Sequence, residues 1–270
     1  MKQNYFLKIA FCFLLISNIS YGQLVTTIDF ETENSGYSVS STTGSGFTDV
    51  FNRSNSSLTN VTNEDGFFWA VEDFPDGFTN PSITLDQINI TGSNSFTFSI
   101  DMTSHHYNDW DTADELLITY SIDGGSYQNL MWVQSTEDGT AFNEPAALDT
   151  NFDGTGDCSA ENTLPALSPG TGGGGCVVSS SNFKTFITNS ITLSGNTTLD
   201  IKLQFNGFTS GDEGIYIDNI IITESVPSST TWSGSTNNDW ATATNWDNGV
   251  PTSSLDATIP DVTNAPIIST

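Results

Sequence analysis

Three stretches of this chain alternate apolar and polar residues with a period of two, a pattern that fits a strand with one buried face and not a helix. In "SFTFSIDM" Phe96, Phe98, Ile100 and Met102 fall on one face; in "LLITYSI" Leu116, Ile118, Tyr120 and Ile122 do; in "TTLDIKLQF" Leu199, Ile201, Leu203 and Phe205 do. Further strands are predicted at "LVTTIDF", "FFWAV", "SITLDQINI", "SYQNLMWV", "KTFITNSI" and "GIYIDNIIIT", with turn signals such as "TGSN", "DGGS" and "LSGNT" between them. About nine or ten short strands in roughly 200 residues, with no helical periodicity, predict an all-β fold: two antiparallel sheets packed as a β-sandwich.

The chain opens with Lys2 and Lys8, the apolar run "IAFCFLLI", and Ser20 and Gly22 at signal-peptidase positions, so residues 1–22 are expected to be an export signal cleaved before Gln23. The run is too short to remain as a membrane span, and Cys12 lacks the small residues of a lipoprotein box. The expected destination is secretion or the cell surface. From residue 23 onward Arg53, Lys184 and Lys202 stand against all 32 Asp and Glu, a formal charge of −29. Such a field repels phosphate backbones and anionic lipid surfaces, which excludes nucleic acid and acidic membranes as partners. Aromatic residues at 11% supply the apolar area that disordered acidic chains lack.

Cys158 and Cys176 are the only cysteines after the export signal, and they enclose the aperiodic "SAENTLPALSPGTGGGG". An exported pair of this kind is expected to form a disulfide, which for a loop of this size stabilises by about 3 kcal/mol; a zinc site is the alternative, without nearby histidines to complete it. Just before this pair, "ALDTNFDGTGDC" sets Asp149, Asn151, Asp153 and Asp157 around two glycines. Counting Asp149 as position one, Asn151, Asp153 and Gly154 fall at three, five and six and Asp157 at nine, as in the first part of an EF-hand loop. The twelfth position is Ala160 where a bidentate Glu belongs, so a shorter Asp-rich Ca²⁺ loop is the expectation and an ordinary acidic turn the alternative.

"SHHYNDWDTADE" gathers both histidines of the protein. On a loop, His105, Tyr107, Trp110 and Asp111 would form a sugar-binding face, with flat rings for the sugar and carboxylates for its hydroxyls; the alternative is a polar cap on the sandwich with Trp110 folded against it. Were the segment extended, the adjacent His105 and His106 would point to opposite sides.

The strand "IDFE" near the start and "YIDNIIIT" near residue 220, with "DELLITYSIDGGSYQNLM" between them, resemble the jelly-roll sandwiches of carbohydrate-binding modules and MAM-like extracellular domains, over residues 26–224. The resemblance implies that first and last strands lie side by side and that Glu31 and Asp218 hold a structural Ca²⁺. After "ESVPSST" the vocabulary changes. The expected organisation is a sandwich at 23–225, a linker at 226–230 and a tryptophan-rich module at 231–270, too short to bury a large core alone. Trp232 with Gly234, Asp239 with Trp240, Asn245 with Trp246, Val250 to Thr252, and Ile259 with Pro260 resemble a repeat of large Bacteroidetes surface proteins. That likeness implies the opening of a β-solenoid-like stalk, so the chain is expected to be a piece of a longer protein.

No "G-x-S-x-G", "H-E-x-x-H" or phosphate-cradling glycine motif occurs. The functional expectation is therefore a non-catalytic exported adhesion or recognition module, with an extracellular glycan or cell-surface partner and Ca²⁺ as cofactor. The alternative is an accessory domain of a secreted hydrolase.

Overall fold

The computed structural model describes residues 23–44, 49–55, 61, 66–75, 77–136, 144–170, 176, 178–179, 183–211, 213–253 and 255–268. The expected export signal lies outside these residues, as do the glycines at 172–175. The chain divides into two compact units, Gln23–Val226 and one that takes in Pro227–Thr270.

The larger unit is an all-β sandwich. Its first sheet is built on β7 (Ser95–His106) and β15 (Gly214–Ser225), which continue into β4 (Phe67–Glu72) and β3 (Val50–Asn55). β1 (Gln23–Ile28) pairs with β15, while β11 (Ala166–Ser168), β12 (Lys184–Ile187) and β13 (Ile191–Thr192) pair with β7. The second sheet runs β10 (Ala146–Leu148), β9 (Gln128–Ser135), β8 (Glu115–Ile122), β14 (Thr198–Asn206), β5 (Ser82–Leu85), β2 (Tyr37–Val39), with β6 (Ile88–Asn89) on β14. First and last strands are neighbours, Ile28 facing Ile220 in antiparallel register. One pair departs from the antiparallel rule: β11 lies parallel to β7, and Thr103 and Ser104 hydroxyls donate to Pro165 O beside it.

Both sheets turn their alternate apolar residues into one core. Phe96, Phe98, Ile100 and Met102 of β7 meet Leu116, Ile118 and Tyr120 of β8 and Leu199, Ile201, Leu203 and Phe205 of β14. The period breaks in β9, where adjacent Leu130 and Met131 are both in the core beside a register shift against β8, and in β15, where Ile217 and Ile220 are both in the core although three positions apart. A β-bulge between Asp218 and Ile221, with Asn219 at φ 45°, supplies the extra residue. β4 is buried on both faces, a case alternation does not predict. Its outer residues Phe68 and Ala70 form a second cluster with Val50, Val61 and Tyr216, against which Leu167 and Phe183 pack. The disulfide Cys158–Cys176, with Cα atoms 5.4 Å apart, closes the segment that carries Leu167.

The smaller unit is organised by tryptophan. Trp232 and Trp246 are buried edge to face at 5.0 Å, and Trp240 adds a second such contact to Trp246 at 4.8 Å. Asn245 is buried yet fully bonded: its Oδ1 accepts from Thr236 and Asn237 N–H, and its Nδ2 donates to Asn237 Oδ1 and Asp239 O. β16 (Ser229–Thr231) pairs in parallel with β17 (Asp256–Thr258), and Asp239 bridges Ile267 in parallel too. These offsets of 27 and 28 residues bring the chain back alongside itself. No helix among the described residues is long and apolar enough to cross a membrane.

Candidate functional site

The histidine segment is placed differently from the loop expected. β7 extends through His106, so both histidines are in a strand: His105 Nδ1 lies 3.4 Å from Glu72 Oε1, and His106 Nδ1 2.7 Å from Asp109 Oδ2. Glu72 also accepts from the Tyr216 hydroxyl at 2.8 Å, which ties His105 into a buried network. Trp110 has no exposed surface; it stands edge-on to Phe208 at 5.2 Å, and its backbone bridges Glu144. Tyr107 lays its ring on Gly170, where a Cβ would collide with it. Asp111 Oδ1 accepts from Ala113 N–H at 2.6 Å. Trp110 is therefore corrected from an exposed sugar-binding ring to a core residue, while His105, Tyr107 and Asp111 keep partial exposure. Burying a large indole is worth more than exposing it, and Gly170 of the disulfide-closed segment packs against the tyrosine ring.

The Asp-rich turn has its oxygens directed at its own backbone. Asp149 accepts from Asp153 N–H at 3.2 Å and Gly154 N–H at 2.7 Å, and Asn151 Oδ1 from Asp153 N–H at 2.9 Å. Asp153 Oδ1 accepts from Thr155 N–H at 3.1 Å, and Asp157 Oδ2 from Thr150 N–H at 2.8 Å. A cation at this turn would compete with those N–H groups. Glu31 and Asp218 are engaged in the same manner, Glu31 Oε1 by Phe67 N–H and Asp218 Oδ1 by Asn219 N–H, both at 2.7 Å. Among the described residues no three His, Cys, Asp or Glu side chains converge on a metal position.

What the turn does position is Phe152. Held at φ 59° and 40% exposed, it lines an open groove of about 250 Å³ between the turn, β9 and the β12–β13 segment. Trp132 lines the same groove, its indole N–H fixed by Glu115 Oε2 at 2.8 Å. Leu130 and Leu148 supply apolar surface, while Thr150, Asn189 and Ser190 bring exposed hydroxyl and amide groups. Two aromatic rings flanked by neutral hydrogen-bonding groups suit a ligand with apolar faces and polar edges, such as a sugar ring. The sequence reading passed over this site because Phe152 sat among oxygen donors and Trp132 inside a strand. The available signal was an aromatic residue inside an Asp, Gly and Thr turn.

A pair of buried carboxylates lies elsewhere, at the start of β8. Asp114 accepts from Asp111 N–H at 2.8 Å and Phe208 N–H at 2.7 Å, and Glu213 accepts from Thr209 and Ser210 N–H. Burial first, then the charge of Glu213, push the Asp114 carboxyl up to about 8. Glu213 is also raised, chiefly by burial. A folded pKa above the unfolded one means that the native state holds the proton more tightly, so this contribution is fullest below about pH 4 and falls as pH rises through 8. Thermal melts are expected to lose midpoint between pH 5 and pH 9, and Asp114→Asn, which cannot ionise, is expected to flatten that slope. Parallel slopes in the two proteins would remove Asp114 as its source.

No protein-family profile matches the chain, and no curated protein does. Solved structures do. The chain is similar to the CBM22-1 xylan-binding domain of Xyn10C from Paenibacillus barcinonensis, at 8% identity and a TM-score of 0.36 over 76% of this chain and 97% of that one. It is similar to the C-terminal CBM6 of the laminarinase LamC from Zobellia galactanivorans, at 12% identity and a TM-score of 0.36 over 74% and 99%. A third is the K3 cleaved adhesin domain of Lys-gingipain from Porphyromonas gingivalis, at 10% identity and a TM-score of 0.35 over 75% and 99%.

Proposed function

We propose that this protein is an exported, non-catalytic recognition module that binds an extracellular glycan through the groove between the Asp149–Asp157 turn, β9 and the β12–β13 segment. The observation that carries the reading is the pairing of Trp132 and Phe152 with Thr150, Asn189 and Ser190 along one open groove. Shallow aromatic surfaces edged by hydroxyl and amide groups recognise sugars without needing a closed cavity. The carboxylates whose pKa values rise with burial, Asp114 and Glu213, serve backbone N–H groups rather than lining this groove. Calcium at Asp149, Asn151, Asp153 and Asp157, and at Glu31 with Asp218, belongs to the proposal on donor type alone.

The test is retention on insoluble polysaccharides, run once with Ca²⁺ and once with a chelator, with released reducing sugar measured in the same tubes. Retention without sugar release is expected. Sugar release from a homogeneous preparation would favour a catalytic role, and equal retention and equal melting with and without Ca²⁺ would remove calcium from the proposal.

A further inference from the structure

Resting on the glycan reading above, we infer that the Asp149–Asp157 turn is a presenting device for Phe152, and that the chain it receives in the groove is a neutral glycan rather than an anionic one. Among the described residues three phenylalanines adopt a left-handed backbone, Phe30 at φ 55°, Phe208 at φ 28° and Phe152 at φ 59°. That conformation is costly for a residue with a Cβ. Phe30 and Phe208 are 1% and 0% exposed, so core burial offsets the cost. Phe152 is 40% exposed, and its ring recovers no such burial. The fold nevertheless locks it in place. Asp149 and Asn151 both accept from the N–H of Asp153, the residue that follows, and Asp149 accepts from Gly154 as well. A ring left 40% exposed on a costly backbone returns less to folding than the fully buried rings of Phe30 and Phe208 do, whereas it gives a ligand a rigid flat surface with its ordering already complete.

The ligand class follows from charge. Among the described residues the groove is lined by no Lys or Arg, and its one ionisable lining residue is Asp149, which is buried and already bonded to backbone N–H groups. Around it lies a chain whose formal charge from residue 23 onward is −29, which lowers the local concentration of any polyanion. Exposed Asn189 and Ser190 offer neutral partners for hydroxyl groups, and the Thr150 hydroxyl, which donates to Asp157 Oδ2, keeps acceptor capacity for another. A neutral chain therefore meets complementary chemistry where a uronate or sulfated chain meets repulsion.

The proposal is tested with three proteins, unmodified, Phe152→Gly and Phe152→Tyr, in native gels containing soluble neutral β-glucan, neutral mannan, alginate or a sulfated galactan, with melting followed in parallel. The unmodified protein is expected to be retarded by a neutral polysaccharide and not by the anionic ones. Phe152→Gly, which relieves the left-handed backbone, is expected to keep or raise the melting midpoint while weakening binding about tenfold or more; Phe152→Tyr should retain most of it. If no polysaccharide retards the unmodified protein, the glycan reading itself falls. If a neutral glycan binds but Phe152→Gly binds equally, or loses stability in step with binding, the presenting role falls and the glycan reading stands. Stronger binding to alginate or the sulfated galactan would overturn the ligand class.

Discussion

Replacing Cys158 and Cys176 together by serine is expected to lower the melting midpoint of the sandwich by about 6–12 °C, from a loss of about 3 kcal/mol spread over a unit of this size. The loop closed is 18 residues in sequence separation, and Cys176 is buried. The effect reaches beyond the loop because the enclosed segment covers the outer face of β4: Leu167 packs on the Phe68 and Tyr216 cluster, and β11 adds a parallel strand to β7. Lys184 opposes the loss. Its ammonium donates to Ala160 O at 2.9 Å, Glu161 O at 2.6 Å and Thr163 O at 3.2 Å, pinning the N-terminal part of the loop without the bond. Scanning calorimetry of the double variant measures the balance. A midpoint within a degree or two of the unmodified protein would mean that the lysine and the β11 pairing hold the segment by themselves.

Trp232→Ala is expected to unfold the 227–268 unit while the 23–226 unit keeps its protease resistance. A buried tryptophan truncated to alanine costs about 3–5 kcal/mol, and a unit of this length has little stability in reserve. Trp232 is also a structural hydrogen-bond donor, from Nε1 to Asn264 O at 2.7 Å, and it forms the floor on which Trp246 stands. Gly234 next to it admits no side chain, since a Cβ there would meet Asn264 O at 2.6 Å. Trypsin has few sites in so acidic a chain, so the check uses a protease that cuts after aromatic residues, followed by mass analysis. Cleavage near Trp240 and Trp246 with the sandwich intact is the expected pattern; a resistant tail would mean that the tryptophan cluster is not its core.

The composition of the sandwich core was legible wherever one strand face met the other sheet. Phe96 to Met102 and Leu199 to Phe205 alternate because side chains of a strand alternate, and a period of two is a local property that the chain writes directly. The cysteine pair was legible because Cys158 and Cys176 are the only cysteines after residue 22. Trp110 was not. Whether an aromatic residue in a polar segment faces water or the core depends on what sits above it, here Phe208, 98 positions later in the chain. Nor was Asp218, whose facing depends on a bulge that inserts one residue between Ile217 and Ile220.

Sequence alone determined the class of fold, the faces of the long strands, the strongly acidic charge, and the residues of the Asp-rich turn. Tertiary structure decided where that turn places its side chains. Its oxygens are distributed over backbone N–H groups at separations of two to seven residues, and this sets Phe152 at the rim of a groove whose other wall comes from residues 187–191. A ligand surface assembled from segments tens of residues apart has no local period, because it exists only after two sheet edges have been brought together by the burial of a core that both sheets share.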